Sequence, residues 1–173
     1  MRFMPIGPTA DRGDGAFPER PEYEEFYIAY GECFAIWSKV ETQLMAIFLV
    51  LLKSPDYDAA SSAFYSTTGF RAKLDLVNSA ISNSKRISNT DKEDWTEIHR
   101  SASNSSRRRN QLAHNTVFFG RLGEERRKIF LGDPHDPAGK SRFHAHDLKA
   151  LQESFASLLD QLYLFWERLL TLP

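Results

Sequence analysis

Apolar side chains recur at helical spacing along a first stretch of the chain, from about Glu22 to Leu52. Steps of three, four or seven residues separate its large apolar positions, which are Phe26, Tyr30, Phe34, Trp37, Leu44, Phe48 and Leu51. This spacing predicts one amphipathic helix with a single apolar stripe. At about 1.5 Å per residue, the helix would be on the order of 45 Å long.

Glu41 falls on this apolar stripe, four residues after Trp37 and three before Leu44. An ionised carboxylate is costly to bury alone. We therefore expect either a basic or hydrogen-bonding partner, with an arginine from another helix as the natural one, or a position at the stripe's edge that reaches water.

A second helix is predicted after Ser54-Pro55-Asp56, where serine would be the N-cap and proline would occupy the first turn. It runs from about residue 55 to 67, and Gly69 is expected to break it. A second half then continues from 70 to about 82, with inward positions at Leu74, Val77 and Ile81. The polar residues up to 89 are expected to form a loop.

The third predicted helix begins near Asp91, because Thr90-Asp91-Lys92-Glu93 fits a capping box. Its inward positions step by three and four residues and are Trp95, Ile98, Ala102, Ser105, Arg109 and Leu112. The serine-rich run 101–106 forms helix weakly, so a break there is one alternative. In a continuous helix, these small side chains would let a partner helix or a ligand approach closely.

Beyond His114 the pattern predicts two short strands, at 117–119 and 129–131, around a charged turn. A Gly/Pro-rich loop at 132–139 follows. A fourth helix, from about Asp147 to Leu170, has a core face of Leu148, Leu151, Phe155, Leu158, Leu162, Phe165, Trp166 and Leu169. The predicted fold is all-α, a bundle of four main helices with a small β-hairpin between the third and fourth. Residues 1–20, rich in Pro and Gly, are expected to form a flexible arm before a helical domain at 21–173.

The composition suits one globular domain of 173 residues. Cys33 is the only cysteine and no two histidines have a convincing metal spacing, so we expect no disulfide, metal or cofactor. The N-terminus lacks the apolar run of a signal peptide, and the longest apolar run, from Leu44 to Leu52, is nine residues. These features favour a cytoplasmic protein without membrane contact.

The net charge of −1 is unevenly distributed. Residues 1–60 hold ten acidic and five basic side chains, whereas residues 97–128 hold eight basic and three acidic ones. The basic segment indicates either a local anionic partner or a solvated face that balances the acidic first helix.

The segment from Arg107 to Asn115 gathers an arginine cluster, a side-chain amide and a histidine near the end of the third predicted helix. At about 100° per residue, Asn110 and His114 share a face, and Arg109 lies about 140° from His114. Arg107, seven residues before His114, shares its face more closely. Geometry alone therefore favours Arg107 over Arg109 as the partner of His114.

These side chains suit chemistry at a phosphate. An arginine fork can hold a phosphate and neutralise the charge that develops during displacement, and an imidazole can exchange a proton near neutral pH. RNA carries its own nucleophile, the 2′-hydroxyl, so its cleavage requires no metal. Two structural alternatives stand beside this one: His114 could favour the negative end of its helix, and Arg109 could pair with Glu41.

Arg109-Asn110-x-x-Ala113-His114, on the third helix of a predicted four-helix bundle, resembles the signature of HEPN-domain proteins. Trp37-x-x-x-Glu41 in the first helix and Phe70-Arg71-x-Lys73-Leu74 in the second are similar to the small bacterial members. The resemblance covers roughly residues 22–171. The hairpin and the Arg107-Arg108 pair depart from the minimal pattern, and either would bind RNA backbone or only decorate the surface.

The resemblance implies an up-down helical bundle that forms a homodimer, with the two copies of the motif facing each other across a cleft. In active members this composite site cleaves RNA without metal and leaves a 2′,3′-cyclic phosphate. Carried over, Arg109 would stabilise the phosphate, Asn110 would orient it or His114, and His114 would be the general acid/base. Many such proteins are toxins or defence effectors held by a partner antitoxin.

Three functions from different classes fit these observations. The first is a dimeric, metal-independent ribonuclease, with Glu41 in an orienting role and Arg107 and Arg108 as substrate-binding residues. The second is a catalytically silent bundle that binds RNA, a nucleotide or a protein partner through the same cleft. The third is a structural dimer in which Arg109 and Glu41 form a buried ion pair.

Overall fold

The protein is mostly helical, with a small antiparallel sheet, in a computed structural model that describes residues 4–5, 20–120, 128–136 and 142–172. Its helices are α1 (Arg20–Leu52), α2 (Tyr57–Ser66), α3 (Phe70–Asn83), α4 (Asn89–His114) and α5 (Ala145–Leu170). Its strands are β1 (Met4–Pro5), β2 (Thr116–Gly120), β3 (Lys128–Gly132) and β4 (Arg142–Phe143). The predicted arm at 1–20 lies outside the described residues, apart from β1 and Arg20.

The sheet has the strand order β1-β2-β3-β4, and all its pairings are antiparallel. Its centre is the predicted hairpin between the third and fourth predicted helices, where Phe118 pairs with Phe130 and Val117 with Leu131. The sequence did not predict β1 and β4, which add one two-residue strand to each edge. The predicted charged turn lies largely outside the described residues.

The chain divides into two compact units. Unit 1 comprises Met1–Phe34 and Arg109–Gln152, and unit 2 comprises Ala35–Arg108 and Glu153–Pro173. The sheet belongs to unit 1, whereas α2 and α3 belong to unit 2.

Two helices begin at caps other than the predicted ones. Asp56, not Ser54, caps α2, because its Oδ1 accepts a hydrogen bond from the Ala59 amide at 2.9 Å. The N-cap of α4 lies two residues before the predicted one: Ser88 Oγ accepts from the Asp91 amide at 3.1 Å and donates to the Asp91 carboxylate at 2.6 Å. The predicted break at Gly69 is confirmed, since this residue has a φ of +79° and immediately precedes α3.

The buried stripe of α1 differs in part from the predicted one. In its first half the fully buried positions are Phe26, Ala29, Cys33 and Trp37. Tyr30 and Phe34, predicted to lie in the stripe, are only half-buried at its edge. The prediction failed here because it weighted large aromatic side chains over small ones, although alanine and cysteine are among the residues most often buried.

The inward positions predicted for the third and fourth helices are largely confirmed. In α4, every predicted position is buried except Arg109, which is half-buried. The serine-rich run does not interrupt α4, and within it Ala102 and Ser105 are buried. In α5, every predicted core residue is buried except Trp166, which is half-buried.

Residues Pro21–Leu52 form a helix long and apolar enough to cross a membrane by length and composition, and an 18-residue window of it has a mean hydropathy of 1.5. The core helix of a soluble protein meets the same criteria, so this finding does not separate the two environments. The expectation of a cytoplasmic protein remains a prediction.

Candidate functional site

The candidate site lies at the C-terminal end of α4, in unit 1. Leu112 is fully buried and anchors this end of the helix. Its carbonyl oxygen accepts a hydrogen bond from the hydroxyl of Tyr30 at 3.4 Å. Burial, and then the neighbouring Cys33, raise the pKa of Tyr30 above its ordinary value, so this phenol remains a donor at neutral pH. The last turn of α4 is therefore anchored by the burial of Leu112 and joined to α1 by a hydrogen bond.

Arg109 is half-buried on the inward face of α4. Its guanidinium carbon lies 6.0 Å from the centroid of the Phe34 ring, and its Nη1 donates to Asn110 Oδ1 at 3.4 Å. Its Nε is enclosed and finds no hydrogen-bond acceptor in the part of the chain that the structure describes. A buried donor without an acceptor costs about 1–3 kcal/mol of free energy. We therefore expect a ligand or a partner chain to supply an acceptor to this N–H group.

Asn110 and His114 are exposed on the opposite side of the same helix end. Their separation of four residues places them about 40° apart, as expected from the sequence, whereas Arg109 lies about 140° from His114. The structure thus places the three predicted catalytic side chains on one turn and a half of helix but on two faces of it. Within the described residues, no hydrogen bond fixes the orientation of the His114 imidazole.

Asn115 is a further polar residue of this site, and no role was predicted for its side chain. It directly follows α4, and its amide nitrogen donates to the carbonyl of Gln111 at 3.0 Å. Its side-chain Nδ2 is enclosed and, among the described residues, has no acceptor. Arg109, at the start of the motif, and Asn115, directly after it, therefore present enclosed N–H donors that a bound acceptor would satisfy.

Arg107 and Arg108, predicted to bind substrate, precede the motif on α4 and are exposed. They belong to unit 2. No ion pair in the described chain involves Arg107, so its charge is available to an anionic partner.

Glu41, predicted to orient the site, has a cationic partner. That partner is a lysine, so the prediction of an arginine is wrong. Lys73 Nζ donates to Glu41 Oε2 at 3.1 Å, and Trp37 Nε1 donates to the other carboxylate oxygen at 3.0 Å. Lys73 also lies 5.2 Å from the centroid of the Tyr65 ring. A lysine from the nearby α3 therefore satisfies the carboxylate within unit 2.

The two weaker sequence features of the HEPN resemblance meet in this cluster of unit 2. The ring of Phe70 lies 4.5 Å from that of Trp37, next to the bond between Glu41 and Lys73. Trp37 also packs against Phe155 of α5, at 5.1 Å. These contacts join α1, α3 and α5, so the cluster is a packing and ion-pairing centre of unit 2.

Across residues 4–5, 20–120, 128–136 and 142–172, no three His, Cys, Asp or Glu side chains form a group that could hold a metal ion. His144 and His146 stack at 5.8 Å beside the start of α5, where Asp147 accepts a hydrogen bond from the His144 amide at 2.9 Å. This arrangement is a helix cap.

Comparisons with protein-family models, with curated proteins and with solved structures find no match.

Proposed function

We propose that the protein is a metal-independent endoribonuclease of the HEPN type, which acts in the cytoplasm as a homodimer of up-down four-helix bundles. The observation that carries the proposal is the Nε of Arg109, a cationic donor that is enclosed without an acceptor among the described residues and lies about one and a half helical turns from the exposed His114. A phosphodiester supplies both the negative charge and the acceptor oxygens that this group requires.

The chemistry follows from the side chains present. The 2′-hydroxyl oxygen of the substrate attacks the adjacent phosphorus, and the bond from phosphorus to the 5′-oxygen breaks. One imidazole removes the 2′-hydroxyl proton, and an imidazolium supplies a proton to the leaving oxygen. Arg109 stabilises the charge on the phosphoryl oxygens, and Asn110 orients the phosphate or His114. The products are a 2′,3′-cyclic phosphate and a 5′-hydroxyl.

The angle between Arg109 and His114 supports a composite site. The two residues lie about 140° apart on one helix. A phosphate bound between two copies of the protein would contact Arg109 of one copy and His114 of the other. A dimer with facing copies of α4 would provide this arrangement, and such a ribonuclease would act as a toxin or defence effector under the control of an antitoxin.

The test is cleavage of a mixed RNA pool in EDTA by the wild type and by His114→Ala and Arg109→Ala. Two matched controls are His146→Ala, whose side chain is 79% exposed, and Arg100→Ala, which pairs with Glu97 at 2.7 Å. We expect cyclic-phosphate ends from the wild type and both controls, and none from the site variants. Equal cleavage by all five proteins would contradict the assignment.

A second candidate is a catalytically silent bundle that binds RNA, a nucleotide or a protein partner through the same residues. The observation in its favour is that, in the described part of the chain, no side chain orients the His114 imidazole. Catalytic histidines usually have such a partner. A folded dimer that binds RNA through Arg109 but leaves it intact would select this candidate.

A further inference from the structure

Four aromatic side chains lie along one face of α1 in unit 1. We call this the aromatic row, and its members are Tyr23, Tyr27, Tyr30 and Phe34. Steps of four, three and four residues keep them within about 60° around the helix axis. The rings are in contact within two neighbouring pairs, at 4.6 Å between Tyr23 and Tyr27 and 5.1 Å between Tyr30 and Phe34.

The aromatic row lies beside the core of unit 1 rather than within it. Tyr23 is 41% exposed, and the other three members are half-buried. Gly31 follows the row on its solvent side, and no side chain or other element of the described residues, apart from its own neighbours in the helix, lies within 4 Å of the position that a Cβ would occupy there. Burial, and then the neighbouring Tyr23, raise the pKa of Tyr27, so its ring is uncharged at neutral pH. The row therefore presents neutral ring surface to solvent.

One end of the aromatic row meets the candidate site. The Phe34 ring lies under the Arg109 guanidinium, at 6.0 Å, and the Tyr30 hydroxyl donates to the Leu112 carbonyl at 3.4 Å. At the other end, Tyr23 stacks on Phe119 of β2 at 6.1 Å with an interplanar angle of 9°. The row thus leads along α1 from the sheet to the enclosed donor of Arg109.

Among the acidic side chains of α1 in unit 1, Glu25 and Glu32 point away from the aromatic row, whereas Glu24 lies about 60° from Tyr27 around the helix. Glu32 lies about 160–200° from Tyr30 and Phe34 around the helix, and Glu25 lies about 160–200° from Tyr23 and Tyr27. Glu25 is also neutralised by Lys149, whose Nζ donates to it at 2.6 Å. At the Phe34 end of the row, the charge in contact with the rings is the positive charge of Arg109.

We infer that the aromatic row is a base-stacking subsite for single-stranded RNA, an inference that rests on the proposed function for the phosphate at Arg109. The base next to that phosphate would stack at Phe34, and further bases would follow towards Tyr23. Ring faces bind unpaired bases of any sequence, whereas the bases of a duplex are already stacked on each other. The row is about 16 Å long, roughly five stacked nucleotides at about 3.4 Å each.

The test uses a fluorescein-labelled ten-nucleotide RNA in which every 2′-hydroxyl is methylated, so that it cannot be cleaved. Its binding is followed by anisotropy for the wild type, Tyr23→Leu, Tyr27→Leu and Tyr27→Phe. Loss of one stacking ring should weaken binding about fivefold or more in each leucine variant, whereas Tyr27→Phe, which keeps the ring, should bind like the wild type. The matched control is Tyr57→Leu on α2, a tyrosine that is 59% exposed and outside the row.

The outcomes separate this inference from the proposed function because the probe reports binding alone. Binding that depends on the row, without cleavage of ordinary RNA, would support the subsite and refute the ribonuclease. Cleavage of ordinary RNA with equal probe affinity in all variants would refute the subsite and support the ribonuclease. Absence of probe binding by the wild type would refute the subsite. The subsite would also be refuted if the leucine variants bound the probe like the wild type but changed dimer dissociation or the binding of an arginine-rich peptide.

Discussion

Replacement of Lys73 by methionine should lower the free energy of unfolding of the protein. The Lys73 ammonium lies 3.1 Å from Glu41, and the two side chains are 11% and 24% exposed. Methionine keeps most of the apolar stem but removes the charge. Glu41 would then keep only the hydrogen bond from Trp37 and its limited contact with water.

The expected magnitude follows from this partial burial. An unpaired member of a buried ion pair costs about 3–5 kcal/mol, whereas an exposed pair contributes about 0.2–1 kcal/mol. Because Glu41 retains some contact with water, we expect a loss of about 2 kcal/mol, or a fall in Tm of roughly 4–8 °C. The double variant Glu41→Gln with Lys73→Met should lose less free energy of unfolding than the sum of the two single variants. The difference, which is the coupling energy of the pair, should be about 1–2 kcal/mol.

The measurement is urea unfolding of the four proteins of this cycle at one protein concentration. The matched control is a second cycle on Arg71 and Asp75, an i,i+4 pair at 3.2 Å whose side chains are 70% and 52% exposed. That pair should give a coupling of about 0.3–0.5 kcal/mol. Equal coupling energies in the two double-mutant cycles would refute the argument that partial burial strengthens the ion pair between Glu41 and Lys73.

Three further predictions concern unit 1 and the basic segment. Burial, and then the charge of Glu32, raise the pKa of Cys33 from 9.0 to about 11. As the pH rises, the unfolded chain therefore loses the thiol proton before the folded chain does. The free energy of unfolding should consequently fall between pH 9 and about pH 11. Urea unfolding across this range should show a smaller fall in Cys33→Ala; equal falls would contradict the assignment. Leu112→Ala should cost about 2–5 kcal/mol in thermal unfolding, against little change for the exposed Ala113→Ser. Arg107→Ala should reduce the salt dependence of single-stranded RNA binding by about 0.7 in log–log slope, and an unchanged slope would exclude a phosphate contact.

The inward faces of α4 and α5 could be predicted because burial repeats with the period of a helix. In α4 the prediction extended through the serine-rich run, since the positions of Ala102 and Ser105 kept the period although their side chains are small. In α5 the large apolar residues leave little choice of face. Periodicity carries this information without reference to the rest of the chain.

The start of a helix could not be fixed in the same way. Ser54 and Asp56 both precede α2, and Ser88 and Thr90 both lie at the start of α4, so each helix has two residues of the capping type. Caps of these types differ by only a few tenths of a kcal/mol, and the choice depends on local backbone geometry. The two-residue strands at the edges of the sheet are likewise too short for any period to appear.

Long-range partners were the least predictable feature of the candidate site. The position of Glu41 indicated that it needed a partner, but the sequence could not decide between an arginine of another helix and Lys73, which is 32 residues away. The contact between Phe34 and Arg109, and the enclosed amide of Asn115, depend in the same way on how α1 and α4 pack within unit 1. The proposed roles of Arg109, Asn110 and His114 remain predictions for the cleavage assay.

The enclosed Nε of Arg109 links folding to binding thermodynamically. An enclosed N–H group of this kind, without an acceptor among the described residues, costs about 1–3 kcal/mol in the free chain. Any acceptor that reaches it, whether a phosphate oxygen or a carbonyl of a second copy, binds only the folded state and raises the apparent stability by RT ln(1 + [L]/Kd). Two acceptors cannot occupy one N–H group fully at the same time, so an anion and a subunit contact at Arg109 would compete. Ligand concentration would then control how tightly the copies associate.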